Sequence, residues 1–248
     1  MKGSIIITGA SRGIGAAVAL QAGQAGYEVC VNYQSNKQAA DGVVAEIEEN
    51  GGKAIAVQGD VAKEDDILNI FKAVDEQLAP LTALVNNAGI VGVATSVKDL
   101  TYERLQNMLT TNVTGSILCA REAIKRMSPE SGGKGGGIVN ISSAAARLGS
   151  PGEYVDYAAS KGAIDSFTIG LAKELAEQDI RVNAVRPGVI YTDIHASGGE
   201  PGRVDRVKSN VPMQRGGQPE EIADSVMWLL SDKASYVTGA LLDVSGGR

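Results

Sequence analysis

Seven short apolar runs, residues 5–8, 28–32, 54–58, 83–86, 138–141, 181–185 and 240–244, recur along the 248-residue chain. They are rich in Ile and Val and lack the strict alternation of a strand with one wet face, so each must be buried on both sides. Helices have to supply that cover. Amphipathic stretches do lie between the runs: 65–78 carries Ile67, Ile70, Phe71, Val74 and Leu78 on one side, and 220–230 carries Ile222, Val226 and Leu229. Strands alternating with helices imply an α/β fold, a doubly wound parallel sheet of about seven strands. Nothing divides the chain, so residues 1–248 are read as a single domain, without a 20-to-50-residue repeat.

Two segments break this rhythm. Residues 132–137 read Gly-Gly-Lys-Gly-Gly-Gly, but they precede a strand and have no Ser or Thr after the Lys, which suits a flexible connection rather than a phosphate loop. Residues 192–217 form a long polar stretch with Gly198, Gly199, Gly202, Gly216 and Gly217, a candidate substrate lid.

Composition excludes several function classes. A net charge of −6 with no basic run gives no electrostatic footprint for nucleic acid. The apolar run at 5–7 is too short for a signal peptide and nothing later approaches a membrane span, so a cytoplasmic protein is expected. Cys30 and Cys119 stand in apolar surroundings without a Cys-x-x-Cys pattern, as buried thiols do. His195 is the only histidine, so no imidazole network can be built, which removes most Ser-His-Asp and metal-hydrolase schemes and leaves no expected metal site.

The residues that carry chemistry fall elsewhere. The first strand runs into Gly9, Ser11, Arg12, Gly13, Ile14 and Gly15, then a helix at 16–25. Glycines let pyrophosphate oxygens approach the backbone, and the helix presents its positive end. Tyr157 and Lys161 lie four apart at the start of a helical stretch, 157–177, and share one face. A free Tyr titrates near 10, so cycling its proton at neutral pH needs roughly three units of lowering, about 4 kcal/mol, from neighbouring cations.

The Gly9-x-x-x-Gly13-x-Gly15 spacing resembles that of the short-chain dehydrogenases/reductases. Further motifs follow in order: Asp60-Val61, Asn86-Asn87-Ala88-Gly89, Thr111-Asn112-Val113, Ile141-Ser142-Ser143, Tyr157-x-x-Ser160-Lys161, Arg186-Pro187-Gly188 and Val237-Thr238-Gly239. The resemblance implies a Rossmann-like oxidoreductase. Asp60 and Val61 would hold the adenine, Asn87, Ala88 and Gly89 would line the nucleotide cleft, and Pro187, Gly188, Ile190 and Thr192 would meet the nicotinamide. Tyr157 would be the general acid, Lys161 would bind the nicotinamide ribose, a Ser hydroxyl would orient the carbonyl, and Asn112 would carry a relay water. The chain is most similar to bacterial β-ketoacyl carrier-protein reductases and to glucose dehydrogenase-like members. Members assemble as tetramers through the helix bearing Tyr and Lys and the C-terminal helix and strand.

Three readings stay open. The motif assigns the catalytic hydroxyl to Ser143, but the distance to Tyr157 is one residue longer than the family's common spacing, implying an insertion within 149–156, with Ser142 as the alternative. At the end of the second strand an acid would select NAD; Asn32 stands there, with Arg12 free to face a phosphate, so NADP is expected over NAD. The substrate, a small carbonyl or alcohol, is otherwise undetermined: Arg203, Arg206, Lys208 and Arg215 would be a docking patch for an acidic carrier protein or a solvated face. A cofactor-binding sensor without turnover is the alternative from another class, which the presence of both Tyr157 and Lys161 disfavours.

Overall fold

The computed structural model describes residues 2–248. Among these residues seven strands make one parallel sheet in the order β3-β2-β1-β4-β5-β6-β7: β1 (Ser4–Ile7), β2 (Glu28–Tyr33), β3 (Lys53–Gln58), β4 (Leu81–Asn86), β5 (Gly136–Ile141), β6 (Ile180–Pro187) and β7 (Leu241–Val244). All the expected runs are strands. The glycine tract is partly strand, since β5 already begins at Gly136. The strand order reverses between β1 and β4, which opens a crevice above the carboxyl ends of the sheet.

Alternate side chains of one strand feed both cores. Ile5 and Ile7 pack on one face, with helices α1 (Gly13–Gln24) and α2 (Lys37–Glu49); Ile6 packs on the other, with Phe71 of α3 (Glu64–Gln77). Each buried Ile contributes about 1.5–3 kcal/mol by leaving water, and buried polar strand residues such as Asn32 and Asn140 have hydrogen-bond partners. The second face is completed by α4 (Tyr102–Leu109), a π turn at Thr110–Thr114 and α5 (Gly115–Met127). After a short α6 (Ala145–Leu148) comes α7 (Val155–Glu174), 20 residues long, its expected tail replaced by a 3-10 turn at Ala176–Gln178. Cys30 and Cys119 are buried free thiols, each pushed up to about 12 by burial.

Residues 192–217 are not the featureless loop their polarity suggests. They contain α8 (Ile194–Ser197) and α9 (Arg203–Val207), and a backbone bridge between Ile190 and Gly217 closes the base of the segment. Val204, Val207 and Val211 bury themselves against Val189 as a small core of their own. Helix α10 (Pro219–Leu230) follows and packs on α1's side of the sheet. Among the described residues no helix is long and apolar enough to cross a membrane.

Candidate active site

The ends of α1 and α10 show how the sequence leaves one helix open to a ligand. Helix α10 starts on Pro219 and closes its N-terminus with a capping box between Gln218 and Glu221. Helix α1 starts on Arg12 with no side-chain cap and no acid in its first turn. Its orphan N–H groups and the positive end of its dipole therefore face the crevice. Gly9 and Gly13 hold positive φ (62° and 55°), and a Cβ on Gly15 would stand 2.5 Å from Asn87 Nδ2 and 2.6 Å from the Gly9 carbonyl. Thr8 Oγ1 accepts from the N–H groups of Asn87 and Ala88, and Asn87 Nδ2 donates to the Thr8 and Gly9 carbonyls, which sews this loop to the end of β4.

These elements border one cleft of about 1050 Å3. Its walls include Gly9, Ser11, Arg12, Gly13 and Ile14 at the mouth of α1; Asn32, Asp60 and Val61 at the ends of β2 and β3; and Asn87, Ala88 and Gly89 after β4. Ser143, Tyr157 and Lys161 lie further along, with Pro187, Gly188, Ile190 and Thr192 after β6. The cleft is thus long enough, and bare enough at the α1 N-terminus, to fit a dinucleotide. Two expected residues sit behind the wall instead of on it. Gly15 is buried under the loop, and Asn112 is fully buried in the π turn, its carboxamide accepting from Ile90 N (2.8 Å) and donating to Ile90 O (3.0 Å).

Asn32 lines the cleft but cannot act as expected toward a phosphate. Strand β2 runs one residue past it to Tyr33, and its side chain turns inward, 1% exposed. Its Oδ1 accepts from Gly9 N at 3.1 Å while its Nδ2 donates to the Val57 and Gly59 carbonyls. Asn32 anchors the glycine loop. Gln34, Ser35 and Asn36, which also line the cleft, occupy the outer edge that the sequence reading had given to Asn32. Arg12 is exposed there, with a guanidinium nitrogen 3.9 Å from Asp193 Oδ2.

At the other end the two serines separate cleanly. Ser142 Oγ is buried and donates to Asp165 Oδ1 at 2.7 Å. Ser143 Oγ accepts from Ala145 N at 3.1 Å and lines the cleft together with Tyr157. In the turn before α7, Gly149, Ser150 and Gly152 all have positive φ. Burial raises the Tyr157 pKa above its ordinary value, and Ser143 opposes that rise. Lys161 is buried, donates to the Ile141 carbonyl at 2.8 Å, and stands 5.6 Å from the Tyr157 ring centre. Burial lowers its pKa to about 8, with Asp165 pulling the other way, so the ammonium is still the major form at neutral pH.

Leu148 and Tyr154 on the remaining cleft wall were not foreseen; His195 and Arg203 reach it from residues 192–217. The expected basic patch is not a free one. Arg203 pairs with Glu153 and Glu200, as does Arg206, while Lys208 pairs with Asp205 and Arg215 with Glu221. Among the described residues no group of three or more His, Cys, Asp or Glu could hold a metal ion.

A strand-reversal crevice with a glycine loop at one end and a Ser-Tyr-Lys cluster at the other defines a short-chain oxidoreductase, and the chain belongs to the short-chain dehydrogenase/reductase family. A family model described as enoyl-(acyl carrier protein) reductase matches residues 9–248. An uncharacterized oxidoreductase of Escherichia coli, YgfF, is 61% identical over 243 residues, 98% of this chain and 98% of that protein. A 3-oxoacyl-[acyl-carrier-protein] reductase of Synechocystis is 41% identical over 98% of this chain and 95% of the relative. Among solved structures, a short-chain dehydrogenase from Burkholderia cenocepacia in complex with NADP superposes with a TM-score of 0.90 at 34% identity, covering 98% of this chain and 96% of that one.

Proposed function

We propose that this enzyme uses NADP to interconvert a small, uncharged carbonyl compound and its alcohol. The observation that carries the reading is the convergence of Ser143, Tyr157 and Lys161 at the end of the cleft that begins on the uncapped α1. The cofactor supplies or accepts the hydride. The chain's own residues would do the rest: the α1 N–H groups would hold the pyrophosphate, Asp60 and Val61 the adenine, and Lys161 the nicotinamide ribose. Pro187, Gly188, Ile190 and Thr192 wall the nicotinamide pocket. Tyr157 Oη gives its proton to the carbonyl oxygen in reduction and withdraws it in oxidation, while Ser143 Oγ orients that oxygen. Asn112 acts indirectly, by pinning the Ile90 backbone and so shaping the relay-water site beside Gly89.

NADP is favoured over NAD because exposed Arg12 and the neutral Gln34, Ser35 and Asn36 line the cleft, with no acid at the end of β2 to repel a 2′-phosphate. The NADP complex of the Burkholderia structure supports the same choice. The substrate is taken to be free rather than carrier-bound, because each cation of residues 203–215 already has a carboxylate partner. Residues 192–217 serve as its lid. Apolar Leu109, Ile117 and Ile169 are exposed on α4, α5 and α7, and Gly162 and Gly170 leave open space on α7, which suits a cytoplasmic homotetramer built across that face. Light scattering at micromolar concentration is expected to give a tetramer; a stable monomer would refute the assembly.

The test of the function is a panel of ketones, aldehydes, sugars and acyl thioesters followed by NADPH absorbance. Turnover of free ketones, aldehydes or sugars is expected. Turnover confined to carrier-protein thioesters would overturn the substrate class, and cofactor binding without turnover of any compound would favour the sensor.

A further inference from the structure

Beneath the cleft floor lies a charged pair that the mechanism above does not use. Asp165 sits one turn after Lys161 on α7 and is 7% exposed. One carboxylate oxygen accepts from Ser142 Oγ at 2.7 Å; the other accepts from Arg186 Nε at 3.0 Å and from a second guanidinium nitrogen at 2.8 Å. Ser142 precedes Ser143, and Arg186 precedes Pro187 and Gly188. A single buried carboxylate thus joins the three segments that carry the hydroxyl, the Tyr-Lys helix and the nicotinamide wall. Both guanidinium bonds converge on one oxygen and leave the other to Ser142, so each partner has its own place on the carboxylate.

We propose that Asp165, with Arg186 as its partner, is a positioning residue of the reaction. It locks the Ser142-Ser143 turn against α7 and places a buried carboxylate one helical turn from Lys161. The inference rests on the reading of Tyr157 and Lys161 given above. From α7 itself the groups facing Lys161 are Tyr157 and Asp165. The other packed elements present neutral groups, the Ile141 carbonyl of β5, Gly89 and Asn112, and β6 adds Arg186 behind Asp165. Asp243 of β7 lies 3.8 Å beyond Arg186.

Removing an anion lowers the pKa of every titrating neighbour, and removing a cation raises it. The basic limb of carbonyl reduction, where the Tyr157–Lys161 pair loses a proton, therefore responds with opposite sign to the two partners. Asp165→Asn is expected to move that limb down by about half to one pH unit, and Arg186→Gln to move it up by a similar amount. The double variant should return it close to the original position. Ser142→Ala removes only the mechanical link; kcat should fall severalfold with the limb unmoved. A second readout needs no turnover: in the cofactor-free protein, labelling of Lys161 by a small amine-reactive reagent, read by peptide mass, should begin at lower pH in Asp165→Asn and at higher pH in Arg186→Gln.

Shifts in the same direction, or none, would overturn the proposal, as would a Ser142→Ala variant as inactive as Tyr157→Phe, since that would make Ser142 the reacting hydroxyl. Should Asp165→Asn fail to fold, Arg186→Gln and Ser142→Ala carry the test with the same expected signs. Tyr157→Phe is measured in parallel: if it stays active, the reading of the site falls, and Lys161 labelling still decides whether Asp165 acts on Lys161.

Discussion

Below the cleft, Asn32, Asn112, Lys161 and Asp165 are each no more than 7% exposed, and each has its polar atoms matched by backbone or side-chain partners. Above it, residues 192–217 are held by their small valine core and by Arg203 and Arg206, which bridge Glu200 within the segment to Glu153 before α7; Arg203 is 12% and Arg206 51% exposed. Buried matched networks are expensive to disturb, whereas exposed ion pairs contribute little and are screened by salt. The floor is held by buried matched bonds, and part of the overhang's hold is by exposed ion pairs. That difference predicts large effects from floor substitutions and small, condition-dependent ones from the overhang.

The largest effect is expected from Lys161→Ala. It removes the proposed ribose contact and the amine beside Tyr157, and kcat/KM should fall by about two to four orders of magnitude. A loss under tenfold would show that the floor geometry does not govern the chemistry. Next comes Gly15→Ala, whose added Cβ meets Asn87 and the Gly9 carbonyl below 3 Å. Binding titration should show NADPH affinity lowered at least about tenfold. Gly42→Ala is the control: a helical glycine with nothing within 4 Å, it should raise stability by about 0.5–1 kcal/mol in thermal unfolding and leave affinity unchanged.

How much of this was legible in the sequence follows from periodicity. Seven two-sided apolar runs can satisfy burial only in a covered parallel sheet, so the strands could be read directly. Tyr157 and Lys161 were legible because i and i+4 share a helix face. Asp165 was not, although it continues the same spacing, because its partners Ser142 and Arg186 come from β5 and β6 and only the sheet brings them together. Asn32 was misread by a single residue of strand length, which turned its amide from the ribose edge to the glycine loop. Residues 192–217 looked like a loop because helices of four and five residues are too short to show a period.

The Asn32 correction changes one expectation and sharpens another. Asn32→Asp would place a carboxylate against the Val57 and Gly59 carbonyls, losing two donor bonds, so NADPH and NADH affinities should both drop and their ratio should change little. Arg12→Gln should instead weaken NADPH selectively, by about tenfold at low salt, with the gap between cofactors narrowing as salt is added. Steady-state kinetics with both cofactors separates these; a changed ratio in Asn32→Asp would restore the original placement.

Smaller effects belong to the overhang. Glu200 is held down to about 2 by hydrogen bonds from Arg206 and Arg203, so its pairing persists across the working pH range. His195 titrates nearer neutrality: burial lowers its pKa below 6.5, and its Nε2 bonds the Ile190 carbonyl. A base with a lowered folded-state value favours folding above its ordinary pKa and loses that contribution as pH falls through the window below 6.5. Substrate KM should therefore rise two- to threefold between pH 7 and 5.5, and His195→Gln should flatten the dependence. Glu200→Gln should raise KM by a similar factor, with little change in kcat and less sensitivity to salt.

The most direct measurement is of Tyr157→Phe, with kcat for the best carbonyl substrate and NADPH affinity determined on the same preparation. Only the transferable proton is removed, so kcat should fall at least about a hundredfold while NADPH affinity stays within about twofold. Near-normal turnover with affinity intact would contradict the assignment of Tyr157 as the proton-transfer residue.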